Sequence, residues 1–195
     1  AEAHLALAVV FGTVAPYFAF RGYPTFAFWT LEGAAIFWMG CRQKSVLARA
    51  FALCLQVGAA GYFWWVTQDQ EFLHPWWNDR VIGSSLIAGA ALMTAWFMHR
   101  YEQSISALET SIEVVAIGCG GAWLLTGFGL GALNEWTSDA ACLSAMLIFI
   151  ASAMMIFEWL GTWLDWRKLR NIARAHVVLI GVATLLWMKL LPGSH

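Results

Sequence analysis

The apolar positions of this chain fall in long unbroken runs separated by short polar segments. The runs at 50–66, 81–98 and 114–133 contain no charged residue, and 140–161 contains only Glu158. A helix needs about 20 apolar residues to cross a hydrocarbon core, so each run predicts one membrane span. Three further runs carry a polar exception. The run at 5–20 holds Pro16, 25–41 holds Glu32, and 175–191 holds His176 and Lys189. The pattern is continuous rather than alternating, which favours helices over barrel strands. The expected fold is all-α: a polytopic transmembrane helical bundle of about seven spans forming a single domain over 1–195. Pro16 predicts a kink in the first span.

Composition points the same way. Of 195 residues, 61% are apolar or aromatic and 12% are charged, against about 25% charged in a soluble domain. The net charge of -1 excludes the basic footprint of a nucleic-acid binder. Loop charges set an orientation. Arg42, Lys44, Arg49, Arg100, Arg167, Lys168, Arg170 and Arg174 fall on one side of the seven-span layout, and Arg21, Arg80 and Lys189 on the other. The richer side is expected in the cytoplasm, with the N-terminus inside and the C-terminus outside. Aromatic residues such as Trp38, Trp96 and Trp163 at one boundary, and Trp64, Trp65 and Trp187 at the other, suit two interfacial belts. The chain opens on Ala-Glu-Ala, with the first apolar run following at once, and is expected to be part of something longer.

Three inner helix ends read Trp-x-x-x-Arg: Trp38 to Arg42, Trp96 to Arg100 and Trp163 to Arg167. Aligning the first and third copies at an offset of 125 residues also matches Leu47-Ala48-Arg49-Ala50 with Ile172-Ala173-Arg174-Ala175. This predicts three parallel helical-hairpin repeats, although aromatic belts and inner arginines produce such pairs without common ancestry.

The segment Phe28-Trp29-Thr30-Leu31-Glu32-Gly33-Ala34-Ala35, followed by Trp38-Met39-Gly40-Cys41-Arg42-Gln43, carries a more specific signal. Leu53-Cys54-Leu55-Gln56 and Trp77-Asn78-Asp79-Arg80 extend it. Over roughly residues 26–100 the chain resembles a bacterial polytopic "predicted membrane protein" family, domain-of-unknown-function family 2339. The resemblance implies an internal fragment of a longer protein in the bacterial inner membrane. It implies no activity, cofactor or catalytic residue.

Candidate chemistry is sparse. Glu32 lies ten residues before Arg42, which places it about 15 Å along a helix from the inner boundary, near the midplane. An ionised acid there costs about 2.5–3.5 kcal/mol on insertion scales. Such residues mark pathways and partner sites, or are protonated carboxyls that fix helix register. Glu158 falls at nearly the same depth in its own hairpin, and His176 on the return helix is expected close enough to pair with it. In the fifth span, Gly127 and Gly131 form a small-x-x-x-small face for packing. The glycines of its outer half are alternatively the mark of a bent or unwound, ligand-lining helix. The segment 68–80 is expected to form an interfacial cap or a lid, and the basic loop 165–174 to attract anionic lipid.

His176 is the one histidine inside a span, which argues against a bis-His haem, and Lys189 sits too near a helix end for retinal. The four cysteines, Cys41, Cys54, Cys119 and Cys142, have no metal or redox spacing. No cofactor, metal or catalytic residue is expected. Two functions remain open: a module that binds or moves a small molecule, lipid or ion, and a non-catalytic scaffold or assembly subunit of the bacterial envelope. The expected partners are the lipid bilayer and the rest of a longer chain or other membrane subunits.

Overall fold

The structure, a computed structural model, describes residues 15, 23–67, 79–135, 139–176 and 181. Among these the regular elements are helical. They are α1 (Tyr23–Arg42), α2 (Val46–Thr67), α3 (Asp79–Arg100), a 3-10 turn (Glu102–Ser104), α4 (Ala107–Glu135) and α5 (Asp139–Trp163), with a further helix α6 at 167–176. Four segments are long and apolar enough to cross a membrane: Val46–Thr67, Arg80–Arg100, Glu109–Gly127 and Ser144–Trp163. Helix α1 covers the span expected at 25–41 but is not one of the four. The spans expected at 5–20 and 175–191 lie almost wholly outside the described residues, as do Pro16 and most of segment 68–80.

The chain divides into two compact units, Ala1–Glu135 and Trp136–His195. In the first, α1 packs between α2 and α3, and α3 packs between α1 and α4. Interior position shows in burial: 56% of the α3 span is buried, against 22% of those in α2 and α4. One apolar cluster joins Phe37 and Cys41 of α1 to Ala52 of α2 and Phe97 and Met98 of α3. Another joins Phe26, Phe63 and Ile87.

Helix α4 runs unbroken for 29 residues. The unwound outer half suggested by its glycines is therefore corrected to continuous helix. Its start, seven residues before the expected 114, follows from a capping box. Glu109 N–H donates to Ser106 Oγ at 3.4 Å, and Ser106 N–H donates to Glu109 Oε2 at 2.7 Å. Two otherwise orphaned helix-end donors are thereby satisfied.

Two hairpin turns are built alike. At the end of α1, Ser45 N–H donates to Gly40 O at 2.9 Å and Lys44 N–H to Cys41 O at 3.3 Å. At the end of α5, Trp166 N–H donates to Gly161 O at 2.7 Å and Asp165 N–H to Thr162 O at 3.3 Å. This is the Schellman arrangement. Lys44 (φ 54°) and Asp165 (φ 50°) take the left-handed position at which glycine is usual. The next helix starts immediately, so its first turn crowds the last turn of the previous one. A Cβ on Gly40 would lie 2.8 Å from Arg49 Cγ, and one on Gly161 would lie 2.6 Å from Arg170 Cγ. Only glycine admits such close approach.

The equivalence of the two turns, Gly40 with Gly161 and Arg49 with Arg170, runs at 121 residues. At the expected offset of 125, Arg42 is matched with Arg167, yet one precedes its turn and the other follows it. The middle connection, through the 3-10 turn and Ser106, is of another type. Lys44→Gly and Asp165→Gly should each stabilise by about 1 kcal/mol, because a side chain in the left-handed region costs about that much. Denaturant unfolding in mixed micelles checks this, and a loss of stability would contradict the turn geometry.

Candidate functional site

Two polar sites occupy opposite ends of the first unit. Where α2 begins, Arg49 is 2% exposed. Its Nε donates to Glu109 Oε1 at 2.5 Å, its Nη2 to Glu109 Oε2 at 3.1 Å, and its Nη1 to Gly40 O at 3.3 Å. Arg49 counts among the loop charges of the sequence layout; in the structure it anchors three helix ends. A cation in the first turn of a helix opposes the helix dipole, so its burial requires the acid. Glu109 supplies it from the first turn of α4, where a carboxylate is favoured, while also capping that helix. The signal was legible in Ser106-x-x-Glu109, a capping-box pattern that precedes an apolar run. The identity of its partner was not.

At the other end, the last turn of α2, the start of α3 and the second half of α4 border a cavity of about 190 Å³. Phe63, Trp64, Thr67, Arg80, Ser84, Trp123 and Thr126 line it. The rings of Phe63 and Trp64 meet Trp123 edge-on, with centroids 5.7 Å and 6.4 Å away. Arg80 Nη2 donates to Thr67 O at 2.7 Å, which ties α3 to the free end of α2. Thr67 and Thr126 spend their hydroxyl protons on carbonyls of their own helices, Phe63 O and Ala122 O. Ser84 does not: it is 1% exposed, and among the described residues its Oγ has no hydrogen-bond partner. A buried hydroxyl without a partner costs about 1–3 kcal/mol.

The residues singled out from sequence do not converge. Glu32 is half-buried on α1, next to Gly33, where a Cβ would lie 2.7 Å from Gln56 Cγ of α2. Gln56 in turn donates to Thr94 Oγ1 of α3 at 2.7 Å. The expected depth match between Glu32 and Glu158 fails. Glu158 is three residues before its hairpin glycine and Glu32 is eight before its own. The expected pairing of Glu158 with His176 is also overturned. Glu158 Oε1 accepts from Arg174 Nη2 at 2.7 Å, and His176 Nδ1 lies 2.8 Å from Ile172 O of its own helix. Arginine wins because it reaches the carboxylate from two residues nearer the hairpin and brings a full charge. Gly127 lies against α3, where a Cβ on it would be 2.7 Å from Ser84 Cβ. Gly131 continues the helix, and its surroundings lie outside the described residues.

Among the described residues, no group of three or more His, Cys, Asp or Glu side chains is placed to hold a metal ion. No family model, curated protein or solved structure matches this chain.

Proposed function

We propose that this is an integral membrane protein whose helical bundle binds, and in its full-length form moves, a small molecule, lipid or ion. The observation that carries the reading is the cavity between α2, α3 and α4, with the unpartnered hydroxyl of Ser84 buried in its wall. A buried polar group left unsatisfied calls for an explanation, and beside a cavity a bound molecule supplies one. Glu32 remains a candidate for the path, because it stands at the close approach of α1 to α2. Three sequence features support a bacterial cytoplasmic membrane with the N-terminus inside: the loop charges, the aromatic belts, and the resemblance to domain-of-unknown-function family 2339. The shared hairpin turns, and the repeated Trp-x-Gly of Trp38-Met39-Gly40 and Trp159-Leu160-Gly161, support duplication of a hairpin unit within the seven-span layout.

The scaffold reading has its own observation, the Arg49–Glu109 pair, which locks helix ends and leaves no group free for chemistry. The test is native mass spectrometry of the full-length protein in mild detergent, beside Thr126→Phe and Glu32→Gln. Thr126 bonds only within its own helix among the contacts described, so phenylalanine fills the cavity at little structural cost. A molecule held one per chain, and lost from Thr126→Phe at unchanged melting temperature, is the expected result. No stoichiometric molecule on the unaltered protein would leave the scaffold.

A further inference from the structure

The α1–α2 and α5–α6 hairpins match beyond their turns at the offset of 121. Arg49 N–H donates to Ser45 O at 3.3 Å, and Arg170 N–H to Trp166 O at 3.2 Å. Ala52 and Ala173, one turn on, are both buried. The two arginines therefore leave their helices at the same place, each with its stem beneath a hairpin glycine.

What covers the two seams differs. On the first hairpin, Phe37 and Cys41 pack against Phe97 and Met98 of α3, with Trp38 and Leu53 beside them. Glu109, from the start of α4, closes over Arg49. On the second hairpin, Thr162 stands at the place of Cys41 and is exposed. Trp159, at the place of Trp38, is 63% exposed and stacks on the exposed Trp163. Glu158 and Arg174 replace Phe37 and Leu53, and the Arg174 side chain is 67% exposed. The Arg170 side chain is 27% exposed, and its ion contact is Asp165, 3.6 Å away and itself 97% exposed.

Such a seam is prepared for a partner. The Arg170 stem is held by the close approach to Gly161, while 3.6 Å to an exposed aspartate is too long for a hydrogen bond. The guanidinium fork still matches a carboxylate. Arg49 shows what this seat accepts: an acid in the first turn of an incoming helix, where the helix dipole favours it. The stacked tryptophans add a large apolar shoulder of the kind that anchors interfaces.

The described helices of this chain offer no second such acid. In the seven-span layout, the first span, α2, α4 and α6 start on the side of the hairpin turns. Helix α2 has no acid in its first turn, the Glu109 of α4 is taken by Arg49, and α6 opens on Arg167-Lys168-Leu169-Arg170. The first span, preceded by Glu2, lies outside the described residues.

We infer that the exposed seam of the α5–α6 hairpin docks a membrane helix of another subunit, much as the first hairpin receives α4. The incoming helix places a glutamate or aspartate of its first turn on Arg170, and its next turn lies against Thr162 and Trp159.

The test uses the full-length protein in its own membranes, with photo-reactive benzoylphenylalanine installed at position 162 and tandem mass spectrometry of the linked peptide. A peptide from a different polypeptide is the expected result, one that opens an apolar run of about 20 residues and carries an acid in its first turn. Arg170→Gln should lower the yield at least tenfold. Arg170→Glu combined with an arginine in place of the partner's acid should restore it. A linked peptide of this same sequence, including the one that holds Glu2, would overturn the docking site. So would a peptide without the acid, a link to lipid alone, no link at all, or a yield unchanged in Arg170→Gln.

A second readout guards against misfolding. Glutamine keeps the Cβ and Cγ that sit beneath Gly161, so purified Arg170→Gln should melt where the unaltered protein does. Arg49→Gln, which strands Glu109, should melt well below it. An equal fall in both variants would show that Arg170 is satisfied within its own chain, and would overturn the docking site. The seam shares no residue with the cavity, so its failure leaves the binding reading standing.

Discussion

Arg49→Ala should destabilise the protein by about 3–5 kcal/mol, the usual cost of stranding one member of a buried ion pair. The loss has two parts. Glu109, itself 7% exposed, is left as an uncompensated charge near Cys41, and the Gly40 carbonyl loses a donor. Arg49→Lys should recover only part of it, because a single ammonium cannot span both carboxylate oxygens as Nε and Nη2 do. On the other side, Glu109→Gln and Glu109→Ala separate two roles. Glutamine still accepts from the Ser106 N–H and keeps the capping box, so its cost reports the stranded arginine. Alanine loses the cap as well, and should be worse by about 1 kcal/mol. Replacing both partners with apolar residues, as in Arg49→Met with Glu109→Leu, should cost much less than the two single changes added together, since neither charge is then stranded. Unfolding equilibria in mixed micelles, combined as a double-mutant cycle, measure this. Additive losses would show that the two side chains do not depend on each other.

Gly83→Ala should cost about 1–3 kcal/mol, a large effect for one methyl group. Its Cβ would lie 2.2 Å from Phe63 Cε2 and 2.8 Å from Phe26 Cζ. Both rings are nearly inaccessible, at 1% and 2% exposure, and they pack on each other with centroids 4.8 Å apart. Neither can turn away without opening the seam where α1, α2 and α3 meet. In a bilayer, helix association relies on close packing rather than on escape from water, so a lost approach distance is felt directly. Phe63→Leu in the same chain should restore part of the loss by withdrawing the ring edge. A Gly83→Ala protein as stable as the unaltered one would place this glycine elsewhere. Gly58, Gly61 and Gly89 are the internal controls, because an added Cβ meets nothing within 4 Å at any of them. Alanine there should be neutral or slightly stabilising.

Much of the helical layout was legible from apolar run length. The runs at 50–66, 81–98, 114–133 and 140–161 each fall inside one observed helix, because an uncharged stretch of that length has few other ways to satisfy its backbone in an apolar medium. The boundaries were less legible. Helix α4 starts at Ala107 because Ser106 and Glu109 cap it, a local signal that lies outside the charge-free run. The two like turns also lie at a different spacing from the one that the Trp-x-x-x-Arg pattern suggests. Trp-x-x-x-Arg aligned side chains that share a membrane depth, whereas the turns are matched by a backbone requirement, a glycine under the next helix's first turn. Trp38-Met39-Gly40 and Trp159-Leu160-Gly161 lie 121 residues apart, as the two turns do.

The candidate site was legible only in fragments. Glu32, Glu158 and His176 stood out because polar residues in apolar runs are rare, yet rarity along a chain does not reveal which atoms face each other. Glu158 went to Arg174 rather than to His176. Ser84 drew no notice, since a serine in an apolar helix ordinarily bonds back to its own carbonyls, as Ser85 does with Val81 O.

By itself, then, the sequence determined the helical class, the four strongest spans and the polar ends between them, because these depend on the solvation of the backbone and of each side chain taken singly. Tertiary structure alone decided that Arg49 is buried on Glu109, 60 residues away. It also decided that Gly83 is the tightest of these approaches, and that a serine hydroxyl is left unsatisfied beside an arginine and two tryptophans. Those facts depend on which helix faces which, and the order of packing, α2 on α1 and α1 on α3 before α4, follows from ring edges and missing Cβ atoms that no single stretch of chain displays.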